Sequence, residues 1–218
     1  MDSGSGLAFS KVRVYGILIF GISAIGFSPI LVKIGSDSSP FLIAAIRTIL
    51  AFIILIPVHL GVHKTERTRE ISTKEHVFVA ISGILLGLHL IAWIGSIYFT
   101  SIASASVLVT IHPIILIVFE RFVFRIHFRW SVWAGVIVAF VGSMIIGFAD
   151  YDADTVHANP LLGNSLAALA AIIFAGYFLI GNRVRQRRNW LEYVFPVYGY
   201  AALTALIAYL LVEGFTLQ

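Results

Sequence analysis

In the apolar stretch His76 to Tyr98 and just beyond it, His89, Trp93, Ser96 and Thr100 recur at i, i+4, i+7 and i+11. At helical periodicity they form one polar and aromatic stripe on an otherwise apolar surface. Hydrocarbon offers such groups no hydrogen-bond partner, so the stripe must face protein or a water-filled cavity. A ring set among hydrogen-bonding groups suits a small amphipathic molecule. The same groups can equally tie neighbouring helices together. Trp93 and His89 are the foremost candidates for contact with a bound molecule.

Arg47 lies inside the apolar run Phe41 to Leu60. A central arginine costs roughly 2.5–3.5 kcal/mol on insertion scales, so it needs a return. Two returns are open: binding carbonyls of neighbouring helices, or holding an anion such as a substrate carboxylate. Its side chain can also snorkel toward the nearer surface. Further along, Pro113 lacks the amide that would bond the Val109 carbonyl, leaving that carbonyl free beside Thr110 and His112. Pro29 does the same for the Ile25 carbonyl next to Ser28. Kinked helices at membrane depth often line binding sites, though many kinks have no ligand role. Tyr177 and Asn182 are the polar contributions of the run Leu162 to Gly181. Glu120 and Arg121 read as a surface pair rather than a gate, and Gly135, Ala139 and Ser143, spaced by four, as a surface for close helix packing.

No apolar run holds Asp or Glu in its middle, so proton coupling through a carboxylate has no candidate. His89 or His112 could titrate near neutral pH instead. Facilitated diffusion, exchange and histidine-mediated antiport all stay open. The chain carries no H-E-x-x-H, G-x-S-x-G, P-loop or G-x-G-x-x-G pattern, so neither an enzyme nor an ATP-driven pump is signalled. Cysteine is absent, which removes disulfides, thiolate metal sites and thiol nucleophiles. No cofactor is expected.

The elements that must carry these residues follow from composition. Hydrophobic residues make up 59% of the 218 and charged residues 12%, against roughly 45–50% and 25% in an ordinary soluble domain. No water-soluble fold of this size hides that much apolar surface. The net charge of +4 forms no stripe on a soluble face, so a nucleic-acid partner is not expected and the lipid bilayer is. About 20 apolar residues cross a bilayer as a helix. Seven windows qualify: Tyr15 to Ile34, Phe41 to Leu60, His76 to Tyr98, Ser101 to Phe119, Trp130 to Phe148, Leu162 to Gly181 and Tyr193 to Val212. The break at Thr100 and Ser101 is short, but one helix cannot run from His76 to Phe119 inside a bilayer roughly 30 Å thick.

Under seven spans, 13 of the 15 basic residues fall on one side: Lys11, Arg13, Lys64, Arg67, Arg69, Lys74, Arg121, Arg125, Arg129, Arg183, Arg185, Arg187 and Arg188. Opposite loops hold Asp37, Asp150, Asp152 and Asp154. Cytoplasmic loops are enriched in Lys and Arg, so the N-terminus is expected in the cytoplasm of a cell whose cytoplasmic membrane holds the protein. The first run continues past Pro29 to Lys33, longer than the core of a cleavable signal peptide. A retinal protein or receptor is disfavoured, because the N-terminus points the wrong way and Tyr193 to Val212 has no lysine.

The start of the first span aligns with the start of the sixth: Gly16 with Gly163, Ala24 with Ala171, Ile25 with Ile172 and Phe27 with Phe174. Five spans separate the two, so the second copy enters the membrane in the opposite direction, as in the inverted repeats of secondary transporters. The chain here resembles the drug/metabolite transporter superfamily, specifically its EamA-type permeases. The resemblance lies in Arg47 within 40–47, the run Tyr98 to Ala105, Pro113 followed by Glu120, and Gly135 with Gly142. It implies two five-helix repeats and export of amino acids or other small metabolites.

The expected fold is therefore an all-α membrane protein of about seven transmembrane helices, a five-helix repeat plus the first two helices of an inverted second repeat. The expected divisions are a cytoplasmic tail 1–14, a first repeat 15–148, an extracytoplasmic loop 149–161 and a partial second repeat 162–218, apparently truncated after the seventh helix. The expected function is a permease working by alternating access on a small-molecule substrate held by Trp93, His89, Ser96, Arg47, Thr110, His112, Ser28 and Tyr177. The rival is a non-transporting membrane scaffold whose helices insert without enclosing a pathway. A homo-oligomer is compatible with either.

Overall fold

The computed structural model describes residues 11–63, 72–152, 159–186 and 189–214, with backbone alone at 11–13, 62–63 and 146–152. The expected basic residues Lys64, Arg67, Arg69, Arg187 and Arg188, and Asp154, lie outside the described residues, as does most of the expected tail 1–14. The described chain is helical: α1 Lys11–Ile34, α2 Pro40–His63, α3 Thr73–Phe99, α4 Ile102–Val109, α5 His112–Val123, α6 Trp130–Asp152, α7 Pro160–Arg185 and α8 Trp190–Val212. Six rods are long and apolar enough to cross a membrane, α4 and α5 together counting as one, and a shorter apolar stretch, Trp130–Ile145, lies in α6. A helix stands at each of the seven expected windows, six of them long and apolar enough to span among the described residues.

The helix ends follow from local chemistry. Ser72 and Glu75 close a capping box at the start of α3, each side chain meeting the other's amide at 3.4 Å. The turn between α3 and α4 consists of Thr100, the C-cap of the first, and Ser101, whose hydroxyl caps the second by accepting from Ser104 N–H at 3.0 Å. That is why two uncharged residues suffice to end one span and begin the next. Asn159 caps α7 with Pro160 in its first turn.

The centre of the bundle is α3. Its longest seam is with α7, which runs antiparallel to it, as the pairs Thr100–Asn164 and His89–Ala170 show. On another side α3 packs against α8, and α8 seats on α2. Small residues bring these axes together. A Cβ on Gly83 would lie 2.3 Å from the Tyr200 Cβ, one on Gly87 2.9 Å from the Thr204 Cβ, and one on Gly163 2.7 Å from the Thr100 amide nitrogen. The expectation that Gly135, Ala139 and Ser143 form a close-packing surface is not met. Nothing lies within 4 Å of a Cβ on Gly135 and Ala139 is exposed, so of the three only Ser143 is buried, its hydroxyl donating to the Ala139 carbonyl of its own helix at 2.8 Å. Spacing by four marks a face on which helices can approach, and tertiary packing used that of α3 instead.

Large apolar side chains point outward all round the bundle, Phe20 at 78% and Leu211 at 81% exposure among them. In lipid such exposure costs nothing, and helices associate through close packing and polar contacts rather than by hiding hydrocarbon. The buried set is accordingly rich in alanine on α7 and α8 and in Ser82, His89, Ser96 and Thr100 on α3. The chain is a multi-pass membrane protein.

Candidate functional site

The stripe on α3 is buried over its full length, with Ser96 and Thr100 fully enclosed and His89 and Trp93 at 8% exposure. Its members have different partners. Near the middle of the helix the His89 ring places Nδ1 2.9 Å from the Ala170 carbonyl of α7. A carbonyl only accepts, so Nδ1 carries the hydrogen, and in the neutral form of the ring Nε2 is left as an acceptor. Phe174, one turn further along α7, lies 4.7 Å from the His89 ring, 4.6 Å edge-on from the His112 ring of α5, and 5.3 Å from the Tyr177 ring. These separations are those of favourable aromatic contact. Phe174 is thus the hub that joins α3, α5 and α7 near the middle of these spans.

Beside this hub the fourth span is broken. Thr110 and Ile111 form a turn between α4 and α5. Pro113 has no amide for the Val109 carbonyl, and the His112 ring nitrogen Nδ1 stands 3.3 Å from that oxygen in its place. The Ile114 amide, which would serve the Thr110 carbonyl in a continuous helix, donates to Ile111 instead at 2.9 Å.

One turn from His89, the Trp93 ring is covered on one face by the Arg47 guanidinium of α2, its Cζ 5.3 Å from the ring centroid. This is cation–π geometry. Among the described residues the buried Trp93 Nε1–H has no acceptor.

Of the expected residues, the structure therefore gathers His89, His112 and Tyr177 in one group and Arg47 with Trp93 in an adjoining one. The other three are placed differently. Ser96 donates to the Trp93 carbonyl at 2.6 Å and is committed to its own helix. Thr110 is exposed, its hydroxyl donating to the Val107 carbonyl at 2.8 Å. Ser28 buries an unpartnered hydroxyl oxygen on α1, and no hydrogen bond or ring contact links it to either group. Thr100 donates to Asn164 Oδ1 at 2.8 Å, tying α3 to α7, and Asn182 is exposed.

Two features were not anticipated. Phe174 is an ordinary residue in an apolar run, and only its alignment with Phe27 and its i, i+3 spacing from Tyr177 set it apart. Between α3, α7 and α8, the Ser82 and Tyr193 hydroxyls neighbour one another without completing a normal hydrogen bond, and a Cβ on Gly181 would lie 2.3 Å from the Tyr193 hydroxyl oxygen. The Gly83 and Gly87 spacing was the available signal for that interface.

Among the described residues no three His, Asp or Glu side chains gather so as to hold a metal ion. The arrangement offers aromatic faces, donors at Arg47 and Trp93 and an acceptor at His89. That is the equipment of a binding site inside a membrane-spanning bundle, the kind of site by which polytopic carriers hold a solute. The model of the EamA-like transporter family matches residues 14–148, and the chain belongs to that family, part of the drug/metabolite transporter superfamily. No curated protein and no solved structure matches it at significance.

Proposed function

We propose that the chain is a secondary permease that exports a small organic metabolite across the cytoplasmic membrane by alternating access, with its N-terminus in the cytoplasm. The observation that carries this reading is the aromatic and imidazole group in which buried His89 and partly buried His112 and Tyr177 meet around Phe174 beside the broken span. A helix interrupted within its span next to aromatic and imidazole groups is the arrangement by which secondary transporters line their solute sites. The helices α2, α3, α7 and α8 are locked by glycine contacts and long seams, whereas α5 has no fully buried residue and α4 and α5 meet at a bend. Movement of the α4–α5 rod about Thr110 and Ile111 against the locked block would expose the site to one side and then the other. Under this reading, α7 begins an inverted second repeat after a first repeat over 15–148, and the basic residues Lys74, Arg121, Arg125, Arg129, Arg183 and Arg185 mark the cytoplasmic side.

The test is release from proteoliposomes loaded with a defined mixture of amino acids and small organic acids, read by mass spectrometry. At least one component should leave wild-type vesicles faster than empty ones. Trp93→Ala should abolish that release while inserting normally. Equal release from Trp93→Ala vesicles would remove Trp93 from the site.

A further inference from the structure

We propose that Arg47 and Trp93 form an anion-recognising subsite that takes the carboxylate of a small organic acid, whose apolar body lies toward Phe174 and Tyr177. The assignment rests on the transport reading for its physiological meaning and adds the charge of the substrate to it. It begins from two unmet groups. Arg47 lies within a span, half-buried, and among the described residues no hydrogen bond or ion pair meets its guanidinium, which lies over the face of Trp93 at 5.3 Å with Tyr198 nearby. A cation at that depth ordinarily pairs with an acid or with carbonyls. Trp93 is more than nine-tenths buried and, among the described residues, its indole N–H has no acceptor. An unsatisfied buried donor is destabilising, and the one on Trp93 belongs to a ring that the donor-only guanidinium of Arg47 covers, so a single acceptor group would serve both.

Guanidinium and indole are donor-only groups, so the ligand that satisfies both is acceptor-only at that end. The guanidinium carbon lies over the Trp93 ring at 5.3 Å, and a guanidinium carries its N–H donors along a planar edge. That planar edge matches the two oxygens of a carboxylate in a bidentate pair. A dianionic phosphate fits less well, because no second Lys or Arg stands within the described interior of the spans and Lys33 lies at the end of α1. Next along α3 is His89, whose Nδ1–H is spent on Ala170, and then the Phe174 and Tyr177 rings. The site therefore runs from a cationic end to an aromatic one, which orders a carboxylate and an apolar body in that sense.

Benzoate and benzamide are the probes, equal in shape and differing in the anionic group. Thermal unfolding of the full chain in detergent is recorded with each at rising concentration, since a ligand that binds only the folded state raises the midpoint by mass action. A fragment of this size binds in roughly the millimolar range. Benzoate should raise the wild-type midpoint and benzamide should not. Arg47→Gln should weaken the benzoate effect at least roughly tenfold, and Trp93→Phe, which keeps a ring and loses the N–H, should weaken it less. The wild-type comparison needs no variant, so a poorly folding Arg47→Gln protein does not spoil the test. Equal shifts with the two probes, no shift with either, or an undiminished benzoate effect in Arg47→Gln each overturn the subsite. The two readings fail separately. Release from proteoliposomes with an Arg47-independent benzoate response leaves the permease and removes the subsite. An Arg47-dependent response with no release of any solute leaves a carboxylate-binding membrane protein and removes transport.

Discussion

Replacing Gly83 with alanine puts a methyl group where the seam between α3 and α8 has no room for one. The added carbon would lie 2.3 Å from the Tyr200 Cβ, 2.7 Å from the Val197 carbonyl oxygen and 3.3 Å from the Ala201 amide nitrogen. Carbon atoms in contact rest about 3.5–4.0 Å apart, so α8 must retreat by roughly 1.2–1.7 Å at this turn. No rotamer change relieves the clash, because all three neighbours are backbone or Cβ atoms. Overpacking of this kind costs about 1–3 kcal/mol, and the backbone contacts place Gly83→Ala at the upper end. For a chain of this length that corresponds to a midpoint lower by roughly 6–12 °C. The assay is the fraction of detergent-purified protein that stays monodisperse on size exclusion after heating. Gly135→Ala is the control, since nothing lies within 4 Å of a Cβ there. A Gly83→Ala midpoint within about 2 °C of the control would refute the close α3–α8 approach.

Thr100→Val removes the buried hydroxyl that donates to Asn164 at 2.8 Å and should cost about 1–2 kcal/mol of thermal stability. A double-mutant cycle with Asn164→Leu should show coupling near 1 kcal/mol, and none would sink the contact. Pro113→Ala restores an amide for the Val109 carbonyl and favours a continuous helix through Thr110 and Ile111. Solute release should then slow at least severalfold with insertion unchanged, whereas wild-type release would show that the break is not a hinge. Because the sequence has no cysteine, single substitutions report topology without background. Ser38→Cys should react with an impermeant maleimide on intact cells and Thr73→Cys only after permeabilisation, and the opposite pattern would invert the assigned orientation.

Much of this protein was legible in its sequence because a bilayer constrains a chain one segment at a time. Apolar length located the seven windows, while the caps Ser72, Ser101 and Asn159 emerged only with the helices they start. The inward aspect of the α3 stripe was equally local, since lipid leaves His89, Trp93, Ser96 and Thr100 nowhere else to point. Partnership was not local. Sequence spacing treated Ser96 and Thr110 as free to meet a ligand, and the fold shows both hydroxyls spent on carbonyls three residues back. It offered Gly135 as a packing site, and the close approaches occur at Gly83, Gly87 and Gly163. It gave no reason to single out Phe174 as a binding residue, which matters only because α3, α5 and α7 converge there. The sequence by itself determined where the apolar helices lie and which residues must turn inward, through transfer energies that act on each segment alone. Only the tertiary structure decided which inward residues face one another, because that depends on how closely particular helix faces can approach across many residues of chain.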